Sequence, residues 1–185
     1  MLKRQIMRAA ERGYAMNAGM EAEFFMFKPG QEGQPATVTH DVGSYFDMAP
    51  ADLGEDARRA IVSTLEQMGF EVEAAHHEVA AGQHEIDFEY SDALTTADNA
   101  ITFKFALKAI AQQHGLYATF MPKPIFGING SGMHTHQSLY SIAEGRNAFA
   151  DPDNRYGLSD LARSYMAGIL AHAKGMAAVL APTVN

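Results

Sequence analysis

Glu21 and Glu23 stand two apart in MEAEFFMF, residues 20–27, at the head of an aromatic run that reads as a buried strand. Positions i and i+2 of a strand point to one face, so two like charges lie side by side at the edge of a core. That is costly unless a cation sits between them. Two further stretches carry related groups. HHEVAAGQHEIDFEY, residues 76–90, holds Glu78 and Glu85 among His76, His77 and His84. With a tight turn at Ala80-Ala81-Gly82, the two glutamates fall on adjoining antiparallel strands and are expected to face one another. GINGSGMHTHQSLY, residues 127–140, sets His134 and His136 on one face of a strand. Gly127, Gly130 and Gly132 ahead of them let backbone N–H groups approach a ligand.

Four carboxylates and at least one imidazole select a hard divalent cation, Mg²⁺ or Mn²⁺. They are more ligands than one ion needs and suggest two ions, a common device in phosphoryl transfer. Singly, each stretch has a plainer reading: a solvated charged hairpin, or a turn followed by two surface histidines. No G-x-x-x-x-G-K-[ST] loop occurs, and Glu78 and Glu85 sit in no H-E-x-x-H, which disfavours a zincin protease.

These groups need elements to hold them. Residues 2–12 read as a helix stopped by Gly13, and 14–18 and 20–28 as two strands. A Gly/Pro/Gln loop follows at 29–36, then an extended segment at 37–49. Asp52 with Glu55 forms a capping box for a helix through Gln67. Strands are expected at 70–79, 83–90, 116–121 and about 133–140. Residues 92–114 carry Ala97, Ile101, Phe105, Leu107 and Ile110 at helical spacing. After a polar loop at 141–157, Ser159 caps a last helix to about residue 178. Strands joined by short turns and mixed with helices imply an α+β fold, a mostly antiparallel sheet with helices on one side. The remaining histidines, His40, His84, His114 and His172, read as structural or exposed, His76 and His77 as supporting or packing residues, and Asp87 as facing out.

Fourteen Lys and Arg against 22 Asp and Glu leave a net charge of −8, which argues against nucleic-acid and membrane-surface partners. The absence of cysteine excludes disulfides and thiolate chemistry and suits a cytoplasmic location. The N-terminal MLKRQIMRAAERG is a charged amphipathic helix rather than a signal peptide, and no apolar run approaches membrane-spanning length.

EAEFFMFK, HHEVAAGQHEIDFEY, TFMPKPIFGINGSGMHTHQSLY and the closing LAPTVN resemble, in order, the catalytic domain of type I bacterial and archaeal glutamine synthetase. The resemblance implies the curved sheet of the glutamine synthetase/guanido kinase-like class. It implies ligation of ammonia to glutamate with ATP, through γ-glutamyl phosphate, using two Mg²⁺ or Mn²⁺ ions. Carried over by motif, Glu23, Glu78 and Glu85 hold the first ion, and Glu21 and His134 the second. Asn129 and Gly130 contact glutamate. His136, Ser138 and Glu73 line the nucleotide site, beside the strand Phe88–Tyr90. The family forms double-ring dodecamers, so a homo-oligomer is expected. Ala81 stands where proline is frequent and Thr135 where cysteine is, and neither change removes a ligand. The family's N-terminal β-grasp domain, its flap glutamate and its phosphate-binding arginines match nothing here. Residues 1–185 are therefore expected to be a partial catalytic domain with no assignable catalytic residue, inactive alone. A γ-glutamyl ligase for a polyamine or other amine, and a non-catalytic module of the same fold, are the alternatives.

Overall fold

A computed structural model describes residues 1–183; Val184 and Asn185 of the LAPTVN motif lie outside the described residues. In chain order the elements are α1 (Leu2–Ala10), β1 (Tyr14–Phe27), α2 (Glu55–Gln67), β2 (Val72–His77), β3 (Gln83–Phe88), β4 (Ser91–Asp92), α3 (Ala93–Gln113), β5 (Tyr117–Thr119), β6 (Met133–Ser141), β7 (Arg146–Asn147) and α4 (Asp160–Leu180). The chain divides into two compact units, one of Gly19–Ser91 with Thr95–His136, the other of Met1–Ala18, Asp92–Leu94 and Gln137 onward.

The first unit carries every candidate residue except Ser138. Its strands follow the order β2-β3-β1-β6, with β5 also paired to β1. The β1–β3, β2–β3 and β1–β5 pairings are antiparallel. Strand alternation sorts β1 into two faces. Met20, Ala22, Phe24 and Met26 enter a core with Ile61 and Leu65 of α2, Ile86 and Phe88 of β3, and Phe103, Leu107 and Ile110 of α3. Glu21, Glu23, Phe25 and Phe27 take the other face, where Phe25 and Phe27 join Ala80 in a small second cluster. Helices on one face of an antiparallel sheet are the α+β arrangement expected, and they leave the glutamates on the helix-free face.

In the second unit α1 buries none of its residues. Tyr140 of β6 pairs with Asn147 of β7. Ser159 caps α4 as expected: its Oγ accepts from the Ala162 N–H at 3.1 Å and donates to the Ala148 carbonyl at 2.7 Å.

Several expectations are corrected. β1 is one strand without a break at Gly19. That glycine serves a close approach, since a Cβ there would lie 3.3 Å from the Cβ of Tyr90. Residues 37–49 form bends and turns, with a single bridge from Thr39 to Phe27, because His40 and Asp41 turn inward. Asp52 is not the cap of α2: Gly54 holds that place, and the Asp52 carboxylate accepts from the Gly54 N–H at 2.9 Å and from Arg58 at 2.7 Å. On α3, Ile101 and Phe105 are exposed, while Phe103, Ala106, Leu107, Ile110 and Ala111 face the sheet. The helix carries two apolar stripes, and its sequence does not say which one the sheet covers.

Gly82 closes the β2–β3 turn at φ +72, and a Cβ there would meet the Met26 carbonyl oxygen at 2.9 Å. Gly82→Ala should therefore lower stability by about 1–3 kcal/mol, read from thermal unfolding; an unchanged midpoint would refute this account of the turn.

Candidate metal centre

Register brings the carboxylates together. Glu23 pairs with Glu85 and Glu21 with Asp87 across β1–β3. On the other side of β3, His76 of β2 pairs with Glu85. Directly opposed residues share a face, so Glu21, Glu23, Glu85, Asp87 and His76 form one polar patch. Glu78 does not face Glu85 across the ladder as expected. It begins the turn, its N–H donating to the Gln83 carbonyl at 2.8 Å, and this shifts the partner of Glu85 to His76.

Three groups of donors result, all sharing Glu85, and one of them joins His76, Glu85 and Asp87. Glu23, Glu78 and Glu85 each place a carboxylate oxygen within 4.8 Å of the others, and so do Glu21, Glu85 and His134 through two carboxylate oxygens and an imidazole nitrogen. Glu78 and Glu85 are buried, Glu21 and Glu23 half-buried, and His134 exposed.

Neighbouring residues hold these groups in place. Gln83 is buried and its amide donates to Glu23 Oε2 at 2.7 Å and to the Gly130 carbonyl at 2.9 Å. The Gly132 N–H donates to the same Glu23 oxygen at 3.1 Å, and a Cβ on Gly132 would stand 3.2 Å from Glu23 Oε1. The glycine thus leaves room for the carboxylate. A Cβ on Gly130 would collide with the Pro122 carbonyl oxygen. His76 Nε2 lies 3.0 Å from Glu78 Oε1 and 3.2 Å from Glu85 Oε2, with the Phe46 ring stacked on it at 4.5 Å. His134 Nδ1 meets Glu21 Oε2 at 3.0 Å and His136 Nε2 meets Glu21 Oε1 at 2.6 Å.

Crowding of like charges appears in the protonation equilibria. Burial, then the charge of Asp87 and contact with Glu78, pushes the Glu85 carboxyl up to about 8. Burial raises Asp87 to about 6, with the charges of Glu21, Glu73 and Glu78 adding to it and His76 opposing. Glu21 goes the other way: burial raises it, but hydrogen bonds from His136 and His134 outweigh that and hold it low. A buried carboxyl that keeps its proton beside two other carboxylates is a position where a cation replaces a proton. Glu85 Oε1, Asp87 Oδ1 and His76 Nδ1 are also buried without a hydrogen-bond partner among the described residues. Oxygen and imidazole donors with such vacant valences fit a divalent cation.

The other sequence candidates are placed as follows. Asn129 is exposed, and Gly130 lies in the loop that Gln83 anchors. Glu73 is exposed at the irregular step of the β2–β3 register, near enough for its charge to act on Asp87. His136 bonds to Glu21, and Ser138 lies half-buried in the second unit. Asp87, read from sequence as facing out, is half-buried on the patch; counting two residues on from Glu85 finds it. His76 lies against two of the carboxylates, a supporting position. Gln83 carried no sequence signal, since only the fold brings Glu23 and Gly130 to it.

Known proteins are similar to this chain. The family described as glutamine synthetase, catalytic domain, matches residues 1–185. A glutamine synthetase of Thermus thermophilus is 60% identical over 186 residues, covering 100% of this chain and 41% of the relative. One of Clostridium saccharobutylicum is 58% identical over 185 residues, again covering 100% of this chain and 41% of the relative. Among solved structures, a GmaS/ADP complex matches with a TM-score of 0.88 and 38% identity, covering 99% of this chain and 42% of that one. A Plasmodium falciparum glutamine synthetase gives a TM-score of 0.88 at 28% identity, covering 100% of this chain and 42% of that one. The chain thus spans about two fifths of the length of the curated relatives it matches. Among the described residues no helix is long and apolar enough to cross a membrane.

Proposed function

This chain belongs to the glutamine synthetase catalytic-domain family, and from that premise we propose that it supplies the metal-binding half of an ATP-dependent ligase joining ammonia to L-glutamate. The observation that carries the reading is the set of overlapping donor groups sharing Glu85 on one sheet face. Glu23, Glu78 and Glu85 hold one divalent cation, Mg²⁺ or Mn²⁺, and Glu21 with His134 holds a second. Bound there, the ions neutralise the triphosphate and polarise the reacting oxygens. In the reaction, a side-chain carboxylate oxygen of glutamate attacks the γ-phosphorus of ATP and ADP leaves. Ammonia then attacks the γ-carbonyl carbon of the acyl phosphate, phosphate leaves, and the nitrogen gives up one proton to become the amide.

The chain's own residues prepare this chemistry. Gln83 and the Gly132 N–H orient Glu23 before any ligand arrives. Asn129 and Gly130 take glutamate, and His136, Ser138 and Glu73 the nucleotide. That GmaS, a similar chain, is solved as an ADP complex supports the binding of a nucleotide. The flap glutamate and the phosphate-binding arginines of the family match nothing in this sequence. The same reading makes residues 1–185 a partial catalytic domain of a cytoplasmic homo-oligomer, of which the family's dodecamer is the model.

Two measurements test this. Isothermal titration of the metal-free chain with Mn²⁺ should show binding that Glu23→Ala or Glu85→Ala weakens by at least about 100-fold, more than loss of a supporting residue. Unchanged affinity would remove the site from the account. A longer polypeptide that includes this segment should form glutamine from ATP, glutamate and ammonia. Preference for ethanolamine or putrescine over ammonia would instead select the other γ-glutamyl ligase. Turnover by the 185-residue chain alone would contradict the assignment of catalytic groups to parts outside it.

A further inference from the structure

We propose that Asp41 and His77, buried behind the β2–β3 turn, form a couple that positions Glu78 to receive its cation. The inference rests on the reading of Glu78 as a metal ligand. Both side chains are wholly buried. Asp41 collects four donors. Its Oδ1 accepts from the Gly82 N–H at 2.8 Å and faces His77 Nε2 at 3.2 Å, while its Oδ2 accepts from the Leu53 N–H at 3.2 Å and faces His40 Nε2 at 3.0 Å. The other ring nitrogen of His77, Nδ1, lies 2.6 Å from the Glu78 carbonyl oxygen. Both nitrogens of His77 thus face acceptors, and the charged ring donates to both. The turn Glu78–Gly82 is gripped at its two ends, the Glu78 carbonyl by His77 and the Gly82 N–H by Asp41, and one carboxylate ties the two grips together.

The segment bearing Asp41 is packed flush against the ring. A Cβ on Gly43 would stand 2.6 Å from His77 Nε2, and one on Gly54 would stand 2.6 Å from the neighbouring His84 ring. Every polar atom of the couple has a partner, so it does not itself present a vacant cation site, although Asp41, Asp52, His77 and His84 lie close enough to be considered one. Arg58 closes that possibility, donating to Asp52 at 2.7 Å and to His84 Nδ1 at 2.9 Å. Burying an aspartate with a histidine brings a desolvation cost that an apolar pair would avoid, so stability alone does not account for it. Orienting a ligand-bearing turn does. Neither Asp41 nor His77 has a side-chain atom within hydrogen-bond distance of a candidate ligand carboxylate; both are positioning residues.

The test measures Mn²⁺ affinity of the 185-residue chain by calorimetry, at a temperature where circular dichroism shows each variant folded. Asp41→Asn and His77→Gln should weaken binding about 10–100-fold, as loss of an outer partner does. Leu65→Ala, in the fully buried core of α2, should lower the unfolding midpoint and leave affinity unchanged. In a Glu78→Ala background, Asp41→Asn should have little further effect on affinity, since the residue it positions is gone. Equal affinity of Asp41→Asn and the unaltered chain overturns the inference while leaving the metal centre standing. An unaltered chain that binds no Mn²⁺ overturns both. If the variants do not fold, a Mg²⁺ titration of the unaltered chain decides by NMR. The Gly82 amide and His77 ring signals should shift with the binding isotherm, and signals that stay still at saturation overturn the inference.

Discussion

Between pH 6.5 and pH 8 the metal-free chain should lose about 2 kcal/mol of stability, and Mn²⁺ should restore it. The sign follows from Glu85. Its carboxyl is pushed up from 4.5 to about 8 in the folded chain. In that range the unfolded chain has released this proton and the folded chain still holds it, so rising pH favours unfolding. His77 acts in the same sense. Asp41 and the Glu78 carbonyl raise its pKa against the opposing effect of burial, so its contribution is full below 6.5 and is lost as pH climbs through the raised value. Of the groups that oppose, one is spent before the window opens and the other early in it. Asp41 is held low by His40 and His77 despite its burial, so its contribution is complete above 3.8. Burial, then the nearby positive groups, hold His84 well below 6.5, so its opposing effect is largely spent at 6.5 and fades just above it. Urea denaturation at the two pH values, with chelator and with Mn²⁺, reads the effect. Glu85→Gln should flatten the slope of the metal-free chain; a slope unchanged by that substitution would mean Glu85 titrates normally.

Phe24→Ala should cost about 3–5 kcal/mol, a large part of the 5–15 kcal/mol that holds a typical domain folded. Phe24 is fully buried at the centre of β1, its ring 5.7 Å from that of Phe120, 5.9 Å from His84 and 6.3 Å from Phe103. Truncation leaves a cavity bounded by rings from α3, β3 and the segment after β5, which cannot all close on it. Ile101→Ala on the exposed stripe of α3 should change stability by no more than about 0.5 kcal/mol. Chemical denaturation of both variants checks the pair. Similar losses at the two positions would mean that the stripe of α3 facing the sheet is misassigned.

Several local features were readable from the sequence, although β1 does not break at Gly19 and Asp52 does not cap α2. Alternation in MEAEFFMF separates the glutamate face from the core face, and Ser159 announces the start of α4. What depended on pairing between segments was harder. The partner of Glu85 follows from where the turn closes, and the Glu78 N–H bond to Gln83 moved it by enough to bring in His76. Gln83 lies between Glu23 and Gly130, far apart along the chain, and no local pattern marks that convergence. Asp41 and His40 sit in a stretch that reads as extended, because nothing in their spacing tells that a segment lacking regular structure will carry charge inward. Asp87 was available from simple counting; the error lay in assigning the polar side of β3 to solvent when β1 and β2 present their own polar residues beside it.

The claim on which the rest depends is that this sheet face holds two divalent cations. Anomalous scattering from crystals grown with Mn²⁺ tests it directly. The account predicts one peak bounded by the carboxylates of Glu23, Glu78 and Glu85 and a second between Glu21 and His134. Density absent from both positions while Mn²⁺ binds elsewhere, for example beside Asp41 and His77, would contradict it.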